Sequence, residues 1–296
     1  MPSSPTVSAV IPVHNGERYI ECAIRSALAQ THAVCECIVV DDGSDDATAR
    51  IVATFGDAVT YVRHPTRLGV SAARNEGMLQ ASGEFIAYLD HDDEWLPAKL
   101  ERQLAAVAES GAALALCAVQ VVDAAGEEVA VKRLDPMPTL VEGMVMFTAQ
   151  LVSCSSAGLI RRDALKTMGG FDERLSMSAD WDLLMRMLLE RSVVYVDEPL
   201  VRYRVHGSNM SGDVSLLERD MRRALQRAFA HPHMPDAVFD EKRAAYGRLY
   251  RMLTGSYRDA HKYRDAARTL ACASFYDRSV LGEAWRARRH AARSAI

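Results

Sequence analysis

The sequence predicts an α/β protein whose mixed sheet is flanked by helices and followed by a C-terminal helical extension. Up to about residue 110, short apolar runs alternate with amphipathic segments, which is typical of parallel strands joined by crossover helices. From about residue 111 the alternation loosens, as expected for mixed or antiparallel additions to the sheet. From about residue 213 the chain is rich in Arg, Ala and Leu with few turn residues, which indicates helices.

Composition and charge narrow the class of protein. The 296 residues are 49% hydrophobic, enough for a substantial core, and the net charge of -4 gives no reason to expect a nucleic-acid partner. Six scattered cysteines show no paired metal-ligand spacing and are expected to be reduced thiols. They are Cys22, Cys35, Cys37, Cys117, Cys154 and Cys272. Without a signal-peptide pattern or an apolar run of about 18 residues, we expect a cytoplasmic protein without membrane-spanning helices.

The first two predicted strands end in polar loops. The first strand is predicted at 7–13, and its loop leads into a helix whose apolar residues recur at a spacing of three to four. The second, at 37–40, runs into an acidic segment. There Ser44 is predicted to cap the next helix, with Asp45 and Asp46 in its first turn, where carboxylates favour the helix dipole.

The other elements continue the pattern. Predicted strands lie at 59–62, 85–90, 111–122 and 153–160, and predicted helices at 71–80, 97–108 and 181–189. Pro97 suits the start of its helix because proline needs no amide partner there. The loops after strands one, two and four lie at the carboxyl ends of parallel strands, the edge at which open α/β sheets bind ligands.

Three carboxylates follow the fourth strand at this edge. Asp90, Asp92 and Asp93 are so close in sequence that their charges repel unless a cation or a bound ligand compensates them. The pattern favours a metal-assisted site. A polar turn that caps the next helix is the alternative, since aspartate is common in turns and caps.

A second acidic pair, Asp41 and Asp42, follows the second strand, and Arg67 and Arg74 lie between the two acidic clusters in sequence. Carboxylates can accept hydrogen bonds from a base or a ribose, and guanidinium groups can pair with phosphate oxygens. Since neither G-x-G-x-x-G nor G-x-x-x-x-G-K-[ST] occurs, the residues favour a nucleoside diphosphate site that depends on a metal. A helix-entry turn is the alternative for the acidic pair, and a solvated surface position the alternative for Arg67.

Six ordered segments resemble the motifs of family 2 glycosyltransferases. They are 10–16 (VIPVHNG), 38–44 (IVVDDGS), 69–77 (GVSAARNEG), 88–93 (YLDHDD), 169–173 (GGFDE) and 179–183 (ADWDL). The resemblance covers about residues 5–212 and implies the GT-A fold, a Rossmann-like mixed sheet. It implies a glycosyltransferase domain at 1–212, with a nucleotide half at about 5–110 and an acceptor half at about 111–212, and leaves 213–296 as the helical extension.

Carried over position by position, the resemblance implies a pocket for a pyrimidine nucleotide. Asp41 and Asp42 are expected to hold the base and the ribose, and Pro12 and Asn15 to shape the floor of the pocket. Ordinary strand-end and turn positions are the alternative for Pro12 and Asn15. The implied donor is a UDP- or dTDP-linked sugar.

The resemblance also implies a site for a metal and a diphosphate. Asp90 and Asp92 are similar to the family's D-x-D pair: Asp92 is expected to ligate Mg²⁺ or Mn²⁺, and Asp90 to contact the ribose or metal-bound water. Asp93 is expected to support this pair without contacting the metal itself. Arg74 resembles the arginine that steadies the acidic edge and the donor phosphates. His206 resembles a histidine that approaches the metal or the diphosphate, with a purely structural hydrogen bond as the alternative.

Asp180 matches the family's general base, at the start of the helix predicted at 181–189. An acceptor hydroxyl has an intrinsic pKa far above neutral and needs a carboxylate to receive its proton. One in-line displacement then inverts the anomeric centre. Relatives commonly carry Glu before this base, whereas this chain has Ala179. The chain therefore lacks a side chain that would contact the acceptor or orient the base, but it keeps the base itself. A carboxylate that only favours the helix dipole is the alternative for Asp180.

The expected activity is a metal-dependent, inverting transfer of one sugar to a hydroxyl of a glycan, a lipid-linked intermediate or another small acceptor. It would serve the biosynthesis of cell-surface polysaccharide or another glycan. A nucleotide-sugar or glycan binding module without turnover is the alternative from another class. A sugar nucleotidylyltransferase is the enzymatic alternative, but its Gly-rich N-terminal loop does not occur here. The stretch 286–293 is basic, and within this C-terminal region the segment 285–290 suggests peripheral contact with the inner face of a membrane, with a solvated helix end as the alternative.

Overall fold

The computed structural model describes residues 4–152, 155–207 and 213–277. Within these ranges the chain divides into two compact units. The first unit comprises residues 4–135 and the described part of 150–207, and it holds a mixed sheet with its helices. The second unit comprises residues 136–149 and 213–277 and is helical.

The strands of the first unit form one mixed sheet. They are β1 (Val7–Val13), β2 (Glu36–Asp41), β3 (Thr60–Arg63), β4 (Phe85–Tyr88), β5 (Glu94–Trp95), β6 (Leu114–Val122), β7 (Glu128–Lys132), β8 (Gly158–Arg161) and β9 (Val193–Arg204). Their order is β3-β2-β1-β4-β8-β6-β9-β5, with β7 paired to β6. The first four strands run parallel, and β8 is antiparallel to both β4 and β6. The expected mixed α/β sheet is confirmed.

The helices fall into two groups. Those of the first unit are α1 (Ile20–Leu28), α2 (Thr48–Ala53), α3 (Val70–Gln80), α4 (Lys99–Ser110), α6 (Arg162–Thr167) and α7 (Ala179–Glu190). Those of the second unit are α5 (Met137–Val145), α8 (Val214–Phe229), α9 (Asp236–Asp240), α10 (Lys242–Asp259) and α11 (Tyr263–Tyr276). Helices from Val214 onward bear out the expected helical extension over the described residues.

The core of the first unit follows the apolar pattern of the sequence. Every residue of β1 is buried, as expected for a strand covered on both faces. The apolar residues of α1 at 20, 23, 24 and 27 are buried as well, so the predicted face packs inward. α4 ends at Gly111, whose φ of 67° is a left-handed conformation that glycine adopts without steric cost.

The predicted cap of the second helix is wrong. α2 begins at Thr48, four residues after Ser44. The amide of Ser44 instead donates to a carboxylate oxygen of Asp41, at 2.7 Å. Asp45 and Asp46 likewise precede the helix, and Asp46 accepts from the amide of Thr48 at 2.9 Å. Gly43, with a φ of 76°, turns the chain between Asp41 and Ser44. The turn brings the amide of Ser44 to the side chain of Asp41.

Several boundaries differ from the expected ones. α4 begins two residues after Pro97, and β4 ends at Tyr88 rather than at Asp90. The strands β5, β7 and β9 and the helices α5 and α6 were not predicted. β7 has only five residues, all exposed, so its alternating Val129 and Val131 do not mark a buried face.

The described residues test part of what we expect of the cysteines and of membrane-spanning helices. The five cysteines that lie in described residues are free, and Cys37 and Cys117 are buried in strands. Cys154 lies outside the described residues, as does the basic stretch 286–293. Among the described residues, no helix combines the length and the apolar character needed to cross a bilayer.

Candidate active site

The carboxyl ends of neighbouring strands carry most of the candidate residues. β2 and β4 both pair in parallel with β1, so the loops that follow them open at one edge of the sheet. Asp41 ends β2 beside Val13, and Asp90 follows β4 by two residues. Pro12 is buried within β1, opposite Val40. The two acidic segments therefore lie on the same edge.

Asp41 organises the loop after β2. Its side chain is fully buried, and one carboxylate oxygen accepts from the Ser44 amide while the other accepts from the Tyr61 hydroxyl. The guanidinium of Arg63 lies 3.9 Å away. Burial raises the pKa of Tyr61, as does the hydrogen bond to Asp41, so this phenol stays a neutral donor. One oxygen of Asp41 thus holds the loop and the other binds β3. A contact of Asp41 with a nucleotide base stays a prediction.

Asp42 anchors a second loop to this edge. Its carboxylate accepts from the amides of Leu68 and Gly69, each at 2.7 Å, and lies 2.9 Å from His64 Nδ1. Burial alone would raise the pKa of Asp42, but the hydrogen bonds from His64 and the two amides hold it below its usual value. Asp42 is therefore ionised at neutral pH, and it places the amino end of α3 next to the loop after β2.

Asn15 joins the loops after β1 and β2. It is exposed and has a φ of 56°, a left-handed conformation that asparagine tolerates better than most residues. Its amide donates to Ser44 Oγ at 2.9 Å, and its side-chain oxygen accepts from the amide of Asp45 at 3.0 Å. The structure thus gives Asn15 a defined role in loop geometry, and its place at the pocket floor stays a prediction.

Arg74 reaches from α3 to the acidic loop. Its guanidinium donates to Asp90 Oδ1 at 2.7 Å and packs over the ring of Phe171, 5.2 Å from the ring centroid. The side chain of Arg74 is 7% exposed and that of Asp90 is 26% exposed. A charge-assisted bond in such a partly enclosed place fixes the carboxylate of Asp90 in one orientation.

Asp92 and His206 meet although they come from distant parts of the chain. His206 Nε2 lies 3.1 Å from Asp92 Oδ2. The imidazole stacks on Tyr19 with ring centroids 5.1 Å apart, and the guanidinium of Arg204 lies 4.9 Å from the same tyrosine ring. Tyr19 thus contacts both the histidine and an arginine from the end of β9, and it was not singled out from the sequence.

Asp93 lies beneath this pair and is almost completely buried. One carboxylate oxygen accepts from Ser156 Oγ at 2.6 Å and the other from the amide of Arg204 at 2.9 Å. Burial raises the pKa of Asp93 well above its usual value, and the charges of Asp92 and Asp90 raise it further. Ser156 Oγ also accepts from the backbone amide of Asp90 at 3.1 Å, so it links the Asp93 carboxylate to the main chain of Asp90. The supporting role of Asp93 stays a prediction.

Asp180 sits in the first turn of α7. Its Oδ1 accepts from the amide of Trp181 at 2.9 Å, and Ala179 beside it is fully buried. The helix is fastened to the preceding turn by Arg186, which binds Asp182 at 2.9 Å and the carbonyl oxygen of Gly170 at 2.8 Å. The start of α7 is therefore a fixed element on which a carboxylate can be held in place.

Tyr203 lies in β9 next to Arg204, whose amide binds Asp93. Burial raises its pKa, and so do the negative charges of four carboxylates in decreasing order of effect. They are Asp93, Asp90, Asp92 and Asp180. This phenol therefore shares a neighbourhood with both the acidic loop and the expected base. Sequence reasoning noted the segment 203–206 only for its histidine, and no spacing rule would have found the tyrosine.

The donor atoms fit one kind of metal site. Among the described residues, no group of three or more His, Cys, Asp or Glu side chains is arranged to hold a metal ion. Asp92 and His206 supply one carboxylate and one imidazole at 3.1 Å from each other. Mg²⁺ is commonly held by one or two carboxylates together with substrate phosphates. The pair fits an ion shared with a bound diphosphate, and it does not fit an ion held by the protein alone.

The family model and the similar proteins found by comparison agree on one protein family. Residues 8–169 match the model for glycosyl transferase family 2. An uncharacterized glycosyltransferase of Rickettsia typhi is 32% identical over 209 residues, which are 69% of this chain and 65% of the relative. Over 99 residues, 33% of this chain and 39% of the relative, the chain is 41% identical to an Escherichia coli protein. That protein is named UDP-Glc:alpha-D-GlcNAc-diphosphoundecaprenol beta-1,3-glucosyltransferase WfgD. The chain thus spans less than two thirds of the length of these relatives.

Solved structures show the same fold. TarS 1-349 of S. aureus, in complex with UDP-GlcNAc, aligns with a TM-score of 0.66 and 18% identity over 91% of both chains. The mannosyltransferase PcManGT of Pyrobaculum calidifontis, in complex with GDP-Man and Mn²⁺, aligns with a TM-score of 0.64 and 19% identity. The alignment covers 98% of this chain and 81% of that one. The expected GT-A fold is confirmed.

Proposed function

The chain belongs to glycosyl transferase family 2, and from this premise we propose that it transfers one sugar from a nucleoside diphosphate donor to a hydroxyl acceptor with inversion. UDP- and dTDP-linked sugars are the proposed donors. The acceptor is proposed to be an intermediate of a cell-surface polysaccharide or another glycan. Relatives support this assignment, since one is named a putative teichuronic acid biosynthesis glycosyltransferase and another a glucosyltransferase acting on a diphosphoundecaprenol-linked sugar.

The convergence of four carboxylates on Tyr203 carries the proposal. Asp90 and Asp92 are on the loop after β4, whereas Asp180 is on α7, far away in sequence. The Arg204 amide binds Asp93 and His206 binds Asp92, so the acidic loop is held beside the end of β9 that carries Tyr203. The charges of all four carboxylates, Asp180 included, raise the pKa of this phenol. Carboxylates are brought together in this way where a cation and a diphosphate compensate them and where a base must face the acceptor.

In the proposed reaction the first part of the chain binds and orients the donor. The loop between β3 and α3, held by Asp42, and the loop fixed by Asn15 would border the nucleotide. Arg74 keeps the Asp90 carboxylate aligned toward the donor. Asp92 and His206 would hold Mg²⁺ or Mn²⁺, which when bound offsets the negative charge that builds up on the leaving diphosphate.

Asp180 would accept the proton of the acceptor hydroxyl. The hydroxyl oxygen attacks the anomeric carbon as the bond from that carbon to the phosphate oxygen breaks, and the nucleoside diphosphate leaves with the electron pair. The proton passes to the carboxylate of Asp180. The contact of Oδ1 with the Trp181 amide fixes the orientation of this carboxylate at the start of α7.

The substitution Asp180→Asn tests the assignment. We expect release of nucleoside diphosphate from UDP-glucose, with or without added acceptor, to fall about 100-fold or more, since general-base catalysis supplies factors of that order. UDP binding, measured by thermal shift with Mn²⁺, should persist. Asp163→Asn is the matched control: Asp163 is exposed in the first turn of α6 and accepts from the next amide just as Asp180 does.

Two results would contradict the proposal. Unchanged turnover in the Asp180→Asn variant would show that Asp180 is not the general base. Tight nucleotide-sugar binding by the wild type with no turnover of any tested UDP- or dTDP-sugar would favour a binding module instead. Screening nucleoside diphosphates by thermal shift with and without Mn²⁺ identifies the base and the cation together, because a shared ion predicts a shift that needs both.

A further inference from the structure

The second unit contains a large cleft that the proposed reaction does not use. Its volume is about 1190 Å³, and residues of α8, α9, α10 and α11 line it. Six cationic side chains border the cleft, against three carboxylates. The cations are Arg219, Arg222, Arg223, Lys242, Arg243 and Arg268. The cleft is larger than the roughly 300–1,000 Å³ of ordinary small-molecule sites, so it can hold more than a single inorganic ion.

Part of this charge is already neutralised. Arg268 donates to both oxygens of Glu218, at 2.8 and 2.6 Å, and Arg219 binds Asp220 at 2.8 Å. The Tyr257 hydroxyl also donates to Glu218, at 2.7 Å. The two arginines Arg268 and Arg219 therefore serve the structure of the unit and offer little charge to a ligand.

Two other arginines keep their charge available. Arg243 donates to the carbonyl oxygens of Phe275 and Tyr276, at 2.6 and 2.9 Å, which fixes its position without a counter-charge. Arg222 is exposed and makes no hydrogen bond or ion pair with the residues that the structure describes. Its charge counteracts the effect of burial on the pKa of Tyr250, so its guanidinium lies near the cleft wall.

Three tyrosines add neutral donors to the same wall. Tyr276 stacks on Tyr246 and on Tyr250, with ring centroids 5.4 and 5.8 Å apart. Within the described part of the chain none of the three hydroxyls has a hydrogen-bond partner. Burial raises the pKa of Tyr246 and of Tyr250, so both phenols remain protonated at neutral pH. They can donate to a ligand.

A carboxylate on the rim argues against a simple polyanion site. Asp240, at the end of α9, is exposed and forms no ion pair or side-chain hydrogen bond among the described residues. It would repel a ligand made only of phosphates. A ligand that carries hydroxyl groups beside its anionic group would satisfy Asp240 as an acceptor and the two arginines as donors.

We propose that this cleft binds a phosphorylated saccharide. The phosphate would lie between Arg222 and Arg243, and the sugar hydroxyls would meet the hydroxyl of Tyr246 and the carboxylate of Asp240. A guanidinium pair recognises a phosphate well because its donors match the phosphate oxygens. The lining of this cleft shares no residue with the proposed transfer site, and the proposal does not depend on that site.

Calorimetric titration of the full chain with glucose 1-phosphate tests the inference. The titration contains saturating UDP and Mn²⁺, so that the proposed donor site is occupied and a failure of that site does not affect the result. We expect Arg222→Gln to weaken binding about tenfold or more, as the loss of a charged hydrogen bond implies. Arg248→Gln is the control, because Arg248 is an exposed arginine of α10 outside the cleft lining.

The composition of the ligand is tested in the same way. Glucose and inorganic phosphate, each titrated alone, should bind at least about tenfold more weakly than glucose 1-phosphate, since each lacks half of the contacts. Tyr246→Phe should weaken glucose 1-phosphate binding without affecting inorganic phosphate. Equal binding by inorganic phosphate would overturn the saccharide part, and equal weakening by the Arg222 and Arg248 variants would overturn the site.

Discussion

His206 Nε2 lies 3.1 Å from Asp92 Oδ2, although 114 residues separate the two in the chain. The pairing of β5 with β9 produces this contact. Glu94 faces Arg202 in an antiparallel register, so the chain just before Glu94 runs beside the chain just after Arg202. A strand of only two residues thus determines whether the acidic loop has an imidazole next to it.

Replacing His206 tests whether this contact belongs to a metal site. We expect His206→Gln to raise the Mn²⁺ concentration needed for half-maximal donor turnover about tenfold, because one of two protein donors is lost. The measurement is UDP release from UDP-glucose at graded Mn²⁺. His233→Gln, at an exposed position of the second unit, should leave the requirement unchanged. An unaltered Mn²⁺ profile in the His206 variant would mean that the histidine has a structural role only.

Tyr203 offers a second test at the same place. Because burial and four carboxylates raise its pKa, the phenol remains a neutral donor at working pH. We expect Tyr203→Phe to lower kcat/KM for donor turnover about tenfold through loss of one hydroxyl hydrogen bond, with little change in the melting temperature. Tyr263→Phe, which removes the hydroxyl of an exposed tyrosine of α11, is the control. Equal kinetics in both variants would exclude a part for the Tyr203 hydroxyl.

The sequence predicted the parallel half of the fold better than the rest. β1 was found with both of its ends correct because apolar runs and turn residues mark a strand covered on two faces. β7 and β5 were missed, since one is exposed throughout and the other has two residues. Short or exposed strands depend on their partners in the sheet, which local pattern does not report.

The candidate residues of the site were predicted from motifs, but the contacts that surround these residues were not. Asp90, Asp92 and Asp180 could be named from motifs. The roles of Tyr19, Ser156 and Tyr203 arise from the return of β9 and from the segment at 155–157, neither of which carries a sequence signal for chemistry. Long-range pairing therefore decides which neutral side chains enter an acidic site.

The bond between Arg74 and Asp90 makes a prediction about stability. Arg74→Met should lower the free energy of unfolding by roughly 1–3 kcal/mol, because it leaves a partly enclosed carboxylate without its counter-charge. In the double variant Arg74→Met/Asp90→Asn the orphaned charge is gone, and we expect part of the loss to be recovered. Chemical denaturation of both variants measures this.

A second ion pair serves as the control for that experiment. Arg25 and Glu21 pair at 2.7 Å on α1, but their side chains are 68% and 53% exposed. Arg25→Met should cost no more than about 0.5 kcal/mol, as measured for exposed pairs on helices. If the double variant at 74 and 90 proved no more stable than Arg74→Met, the destabilisation would come from lost packing over Phe171 and not from charge.

Lys99 is a fully buried cation with a defined setting. Its ammonium donates to Gln103 Oε1 at 2.8 Å and to the carbonyl oxygen of Gly158 at 3.0 Å, and it lies 4.5 Å from the centroid of the Trp95 ring. Burial lowers the pKa of Lys99 from 10.5 to about 8. The folded protein therefore releases this proton at a lower pH than the unfolded chain does.

This difference predicts how stability depends on pH. Between about pH 8 and pH 10.5 the unfolded chain binds one proton more at Lys99 than the folded protein, so raising the pH favours the folded state. The free energy of unfolding of the wild type, minus that of Lys99→Met, should rise by roughly 1–3 kcal/mol across this range. Taking the difference cancels the buried thiol of Cys37, whose raised pKa acts in the opposite direction. The thiol of Cys117 interacts with the Lys99 charge, so the variant Cys117→Ala serves as the common background for both proteins. Urea denaturation of both proteins at pH 7.5, 9 and 10.5 measures this difference, because these pH values bracket the two pKa values of Lys99. A difference in unfolding free energy that does not change with pH would show that the ammonium is solvated rather than buried.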